Sequence, residues 1–166
     1  EFIRLGSIHR NTYLCSPKLL RPDLSLKGNP KVYFAGQITG VEGYLESAAC
    51  GLIAAVFILQ RLQNQPHQSP PVTSAYGAVL RYLTAGDPKN FQPTNVHYGL
   101  FEPSLFEGTT GKKKGEVRQK IAEQSISNFT QWWKAQKETL NIQTSIQPET
   151  RVEPQFHSSA GISADL

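Results

Sequence analysis

One stretch constrains the fold of this chain more than any other. Lys31-Val32-Tyr33-Phe34-Ala35 is rich in β-formers and closes at Gly36; Gly40 and Gly43 follow, and then an apolar run over residues 48–59, broken only by Gly51. The first five residues read as a short buried strand. Thr39, followed three residues later by Glu42, reads as a capping box. Leu45, Ala48, Ala49, Leu52, Ile53, Val56 and Leu59 recur at threes and fours. That spacing predicts a helix of about five turns, buried on most sides near its middle. Strand, glycine turn and capped helix together form an arrangement that binds anionic cofactors. The glycines let backbone approach a ligand, and the helix start offers free N–H groups and the positive end of a dipole. Such an end also stabilises a delocalised anion, such as a reduced flavin ring. The glycine pattern here is GxxxGxxG, not the GxGxxG of a pyrophosphate turn. The spacing alone therefore fits a plain tight turn between strand and helix equally well.

The rest of the chain supplies helices around this unit. Residues 63–71 are polar and Pro-rich, and read as a linker. A second helix is expected from a Thr73 or Ser74 cap to Leu83, with Tyr76, Val79, Leu80 and Leu83 on one face and Ala85-Gly86-Asp87-Pro88 ending it. Residues 91–106 are aromatic and Pro-punctuated, which suits ordered loop or short strand. A third helix is expected over residues 112–140, with Val117, Ile121, Ser125, Phe129, Trp132, Trp133 and Leu140 as its buried stripe. From Asn141 onward periodicity vanishes and Gln, Ser, Thr and Pro dominate, so 141–166 reads as a disordered tail. Three parts result: 1–65 with the strand, glycine turn and long helix, 66–140 mainly helical, and the tail.

Composition narrows the class. With 166 residues, 39% hydrophobic and 18% charged, the chain is the size of one domain and has enough apolar material for a packed core. Its 13 Gly and 11 Pro exclude a plain helical bundle. It opens on Glu1 and contains no Met, so it is read as a piece of a longer protein, with part of any active site elsewhere. Two cysteines, Cys15 and Cys50, make neither a disulfide framework nor a zinc site. A reducing, cytoplasmic setting without metal is expected. The apolar run is shorter than the ~20 residues that span a bilayer, and no apolar leader is visible, so no membrane is expected either.

Charge is uneven. Residues 1–40 hold six Lys/Arg against two acids, and residues 112–140 hold seven against three. Two basic concentrations suit a polyanionic partner, although a solvated basic face has the same composition. Lys112, Lys113, Lys114, Arg118 and Lys120 form the densest run, and cations at a helix start are locally unfavourable without an anion nearby.

Longer motifs carry a resemblance. Phe34-Ala35-Gly36-Gln37-Ile38-Thr39-Gly40-Val41-Glu42-Gly43-Tyr44 with Glu46-Ser47-Ala48-Ala49 resembles the C-terminal flavin-site motif of the GidA-like tRNA-modification flavoproteins. Arg4-Leu5-Gly6-Ser7-Ile8-His9-Arg10-Asn11-Thr12, Ser16-Pro17-Lys18-Leu19-Leu20, Gly77-Ala78-Val79-Leu80-Arg81-Tyr82 and Phe91-Gln92-Pro93-Thr94-Asn95 are similar to the branch of folate- and FAD-dependent tRNA (uracil-5-)-methyltransferases. So is the short helical ending. The likeness covers about residues 2 to 135.

The resemblance implies an α/β fold: the C-terminal part of a Rossmann-like FAD-binding domain, with additional helices and a disordered tail. It implies FAD, 5,10-methylenetetrahydrofolate, and NADH or NADPH as reductant, with methyl transfer to uracil C5 in the tRNA T-loop. The pyrophosphate turn and the nucleophilic cysteine belong upstream in such proteins, so no catalytic residue is assigned within this chain. Gly36, Gln37, Thr39, Gly40 and Gly43 would line the flavin. His9 and Tyr44 would face the folate pteridine, with Asn11 as a polar contact, although His9 also reads as a surface residue and Tyr44 as a buried aromatic staple. Arg10, Lys112, Lys113, Lys114 and Arg118 would hold the tRNA backbone. Cys15 has no neighbouring base in sequence to activate it, and Cys50 reads as a small core residue. Two other readings remain: the branch that modifies the wobble uridine, and a non-catalytic flavin- or RNA-binding module.

Overall fold

The computed structural model describes residues 12–108, 111 and 113–142. A single helical turn, α1 (Ser16–Leu19), leads into a hairpin of β1 (Ser25–Leu26) and β2 (Asn29–Tyr33). A 3-10 turn, Gly36–Thr39, precedes the long α2 (Tyr44–Leu62) and then α3 (Ala75–Ala85). Two further 3-10 turns, Tyr98–Leu100 and Pro103–Phe106, lead to α4 (Lys114–Thr139). The architecture is mixed helix with a small two-stranded antiparallel sheet.

The expected buried strand over 31–35 is displaced and is not buried. β2 starts at Asn29 and, among the described residues, pairs only with β1, Ser25 opposite Tyr33 and Leu26 opposite Asn29, with an irregularity between. Pro30 has no N–H to give a ladder, which suits an edge. Val32 remains exposed. Phe34 leaves the pairing, its N–H donating to the Leu24 carbonyl at 3.1 Å.

The capping box is also overturned. Thr39 ends the 3-10 turn, and its hydroxyl donates to the Gly36 carbonyl at 2.6 Å. Gly40 then takes a left-handed φ of 91°, which a helix cannot contain. α2 starts later, with Gly43 as its N-cap and Glu46, not Glu42, in its first turn. The other two predicted helices stand close to their expected bounds. Ser74 caps α3 by accepting from the Gly77 N–H at 3.1 Å.

Two helix ends share one device. Asn64 after α2 and Asn141 after α4 both take positive φ. Gln65 N–H returns to the Gln60 carbonyl (2.7 Å) and Ile142 N–H to the Lys137 carbonyl (3.0 Å), six-residue closures of the Schellman kind. Ile142 packs against the core, so residues 141 and 142 finish α4 instead of opening a tail. The remainder, 143–166, lies outside the described residues.

One apolar core gathers residues from α2, α3 and α4, among them Ile53, Phe57, Leu83, Ile121 and Trp132, together with Leu20 just after α1. Across it runs a set of linked amides, of which Gln60 and Gln136 are buried. Gln60 Nε2 donates to Gln136 Oε1 (2.7 Å), Gln136 Nε2 to Gln68 Oε1 (2.8 Å), and Gln68 N–H to Gln60 Oε1 (3.2 Å). Trp132 Nε1 donates to the Gln68 carbonyl at 3.3 Å. Residues 63–71 are thereby tied to both α2 and α4.

α2 is unevenly covered. Ile53, Val56 and Phe57 are buried, whereas Tyr44 is 97% exposed, Leu45 85% and Leu52 48%. Its 19 residues exceed the apolar run seen in sequence, and by length and composition alone it is long and apolar enough to cross a membrane. A core helix of a larger fold has the same composition.

Candidate functional site

The glycine turn, the first turn of α2 and the 91–95 loop meet at one place, although some fifty residues separate them in sequence. Val41 and Thr94 form a parallel bridge. Thr94 N–H donates to the Gly40 carbonyl (3.0 Å) and Glu42 N–H to the Thr94 carbonyl (2.9 Å). Phe91 lies on Gly40 so closely that a Cβ there would stand 2.5 Å from the ring. The Glu46 carboxylate lies against Gly43, and Glu46 Oε1 accepts from the Val96 N–H at 3.4 Å.

The stretches around 16–20 and 77–82 converge on the same place from below. Ser16 Oγ donates to the Thr39 carbonyl at 2.7 Å, holding the turn on α1. Tyr82 Oη donates to the Gln92 carbonyl at 2.7 Å, and its ring stands 5.3 Å from that of Phe91. Arg81 pairs with Glu102 and donates to the Leu100 carbonyl at 2.9 Å, fixing α3 to the loop that follows. Tyr13 also lies beside Phe91, with centroids 6.2 Å apart.

Above this support an open cavity of about 310 Å³ is lined by Gln37, Gly43, Tyr44 and Ser47. Two of the five expected flavin-lining residues, Gln37 and Gly43, thus face it. Gly36, Thr39 and Gly40 are buried beneath. Tyr44 stands on the rim in full solvent, so it is not a buried staple. His9, Arg10, Asn11 and Lys112 lie outside the described residues. Lys113 and Lys114 stand exposed at the start of α4, and Arg118 one turn on. Sequence reading passed over Glu46, Ser47, Phe91 and Asn95 as parts of the site. They stood inside quoted motifs, but nothing local said that 91–95 folds onto 40–43.

A flavin edge suits this cavity by its chemistry. The ring presents carbonyl and nitrogen acceptors, and the site offers the Gln37 amide and the positive end of a 19-residue helix. Gly43 leaves the cap without a side chain, where the Glu46 carboxylate and the Asn95 amide already crowd the position.

Neither cysteine is set up for attack. Burial pushes the Cys50 thiol up, against the lowering effect of hydrogen bonding with the Gly36 backbone and the Thr39 side chain. It stays protonated, as a small core residue. The Cys15 thiol points at the Pro88 carbonyl, 3.6 Å away.

Comparison with known proteins adds to this geometry. The family model described as "Glucose inhibited division protein A" matches residues 1–66. The methylenetetrahydrofolate–tRNA-(uracil-5-)-methyltransferase TrmFO of Geotalea daltonii is 46% identical over 132 residues, covering 80% of this chain and 29% of that protein. The TrmFO of Pelobacter propionicus is 47% identical over 133 residues, covering 80% and 28%. That of Geobacter sulfurreducens is 44% identical over 132 residues, covering 80% and 30%. The chain thus spans about three tenths of the length of these curated relatives. Over four fifths of its own length, the chain is similar in sequence to these TrmFO proteins.

Proposed function

We propose that this chain is the closing part of a Rossmann-like FAD-binding domain in a longer, cytoplasmic enzyme. The enzyme methylates uracil C5 in the tRNA T-loop, with 5,10-methylenetetrahydrofolate as carbon donor and NADH or NADPH as reductant. The observation that carries the reading is the convergence of 34–44, 77–82 and 91–95 on the open start of α2, in a chain 44–47% identical to TrmFO proteins. The exposed apolar face at Tyr44, Leu45 and Leu52 supports it, since a larger domain would cover that face. In this arrangement residues 1–65 complete the FAD- and folate-binding domain, and 66–140 form a helical part seated on it.

Bound flavin supplies the redox chemistry. The chain's own contribution is to hold and orient it. Gln37 and the first-turn N–H groups of α2 take the ring's polar edge, and the helix dipole favours the anionic reduced form. Gly36, Thr39 and Gly40 shape the turn from beneath. Tyr44 and His9 flank the pteridine, and Asn11 adds a polar contact. Arg10, Lys112, Lys113, Lys114 and Arg118 neutralise tRNA phosphates.

The test is made on the full-length polypeptide. It should purify with a flavin spectrum and transfer carbon from methylenetetrahydrofolate to uracil C5 in tRNA. Modification at a wobble uridine instead would point to the sister branch, which the family model covering 1–66 keeps in view. Flavin without any transfer would leave a binding module. His9→Ala should lower folate affinity about tenfold while FAD is retained, because an aromatic stacking face is worth about 0.5–1.5 kcal/mol beyond buried area. His9→Phe should recover part of the loss. Unchanged folate binding in His9→Ala would make His9 a bystander.

A further inference from the structure

The start of α4 carries more than charge. Lys113, Lys114, Arg118 and Lys120 are all exposed there, and Lys113 is the N-cap, so two of these cations sit at the positive end of the helix dipole. Arg118 differs from the lysines in its setting. Its guanidinium lies over the Tyr98 ring, Cζ 5.3 Å from the centroid. Tyr98 Oη donates to the Arg118 carbonyl at 3.4 Å, so the ring is tied to the helix that bears the cation. Tyr98 in turn stacks on the buried Phe101, centroids 5.9 Å apart and planes 28° from parallel. Buried Phe101, Tyr98 and the exposed Arg118 are thus linked in a chain of contacts from the core to the surface.

A cation meant only for phosphate needs no such chain of contacts; the neighbouring lysines serve without one. A guanidinium plane braced on an aromatic ring is a surface on which an unpaired base stacks. Double-stranded RNA keeps its base faces stacked inside and offers phosphates, sugars and base edges, but no free face to stack on. We propose that Arg118, braced on Tyr98, is a stacking platform for an unpaired RNA base, with Lys113, Lys114 and Lys120 holding the flanking phosphates. This rests on the tRNA reading above and deepens it, by assigning α4 to a single-stranded part of the RNA.

The test uses the full-length polypeptide and two probes: an RNA hairpin with an unpaired loop, and a fully paired RNA duplex of equal phosphate count. Arg118→Lys keeps the charge and loses the plane. It should weaken hairpin binding about tenfold, through the loss of one stacked base. Duplex binding and the slope of affinity against salt should stay as in the parent. Tyr98→Phe should bind like the parent, and Tyr98→Leu like Arg118→Lys. Equal loss on both probes, or no loss on either, overturns the stacking platform. A fluorescent base analogue in the hairpin loop gives the same answer with the unaltered protein, whatever the variants do to folding: quenching on binding is expected, and none overturns the proposal. The broader reading fails separately. Lys113→Gln with Lys114→Gln should flatten the salt slope by up to about 0.9 per lost phosphate contact. An unchanged slope on both probes would remove RNA from α4 altogether.

Discussion

Gly40→Ala should destabilise the protein by about 2–5 kcal/mol and release the flavin with it. Two costs combine. A side chain at a φ of 91° costs about 1–2 kcal/mol. A Cβ placed 2.5 Å from the Phe91 ring forces the 91–95 loop away, at the ~1–3 kcal/mol typical of overpacking. The loop is the element that bridges Val41 to Thr94, so its displacement opens the support beneath the cavity. Denaturant unfolding, read as a lower midpoint at unchanged slope, measures the loss. Phe91→Leu should be destabilising alone yet partly restore the Gly40→Ala protein, because it relieves the clash and leaves only the backbone cost. A double variant as unstable as the sum of the singles would mean that Phe91 is not what holds the position to glycine.

Trp132→Ala should cost about 3–5 kcal/mol, the range for removing a large buried aromatic. Trp132 is 8% exposed, its ring lies 5.5 Å from Phe129, and its Nε1–H reaches the Gln68 carbonyl that joins the glutamine set. Its removal takes away the ring that anchors the middle of α4 to the core. RNA affinity should fall in the same variant, because the basic start of α4 loses its seat. Trp132→Phe keeps most of the buried area and loses one hydrogen bond, about 1 kcal/mol. Trp133, only half-buried, should be far more tolerant of alanine. If Trp132→Ala and Trp133→Ala shift the unfolding midpoint equally, α4 is not anchored through Trp132.

These two residues show how differently the chain's features were visible before folding. Trp132 stood in a stripe of threes and fours, and such a stripe needs only local geometry to declare a helix and its buried side. Gly40 was legible as a turn residue, but its partner was not. Phe91 lies outside any periodic pattern, and no local spacing links it to residue 40. The capping box failed for a related reason. Thr39 and Glu42 have the correct spacing, but two glycines in left-handed or otherwise non-helical backbone, Gly40 and Gly43, delay the helix start. The strand failed because β-formers report affinity for a pleated surface and not burial. Only pairing partners decide burial, and among the described residues β2 has one short neighbour.

The candidate site divides along the same line. The glycine turn, the polar start of α2 and the basic start of α4 are properties of contiguous residues, so the amino-acid order alone determined them, together with the three long helices. Which of those residues meet was decided by the tertiary structure. It put Gln37, Gly43, Tyr44 and Ser47 around one cavity, buried Thr39 and Gly40 under it, and laid Arg118 on Tyr98 across twenty positions of chain. The physical reason is that helix and turn preferences act over three or four residues. Contacts at long separation exist only once burying the shared core has offset the entropy of closing the loops between them.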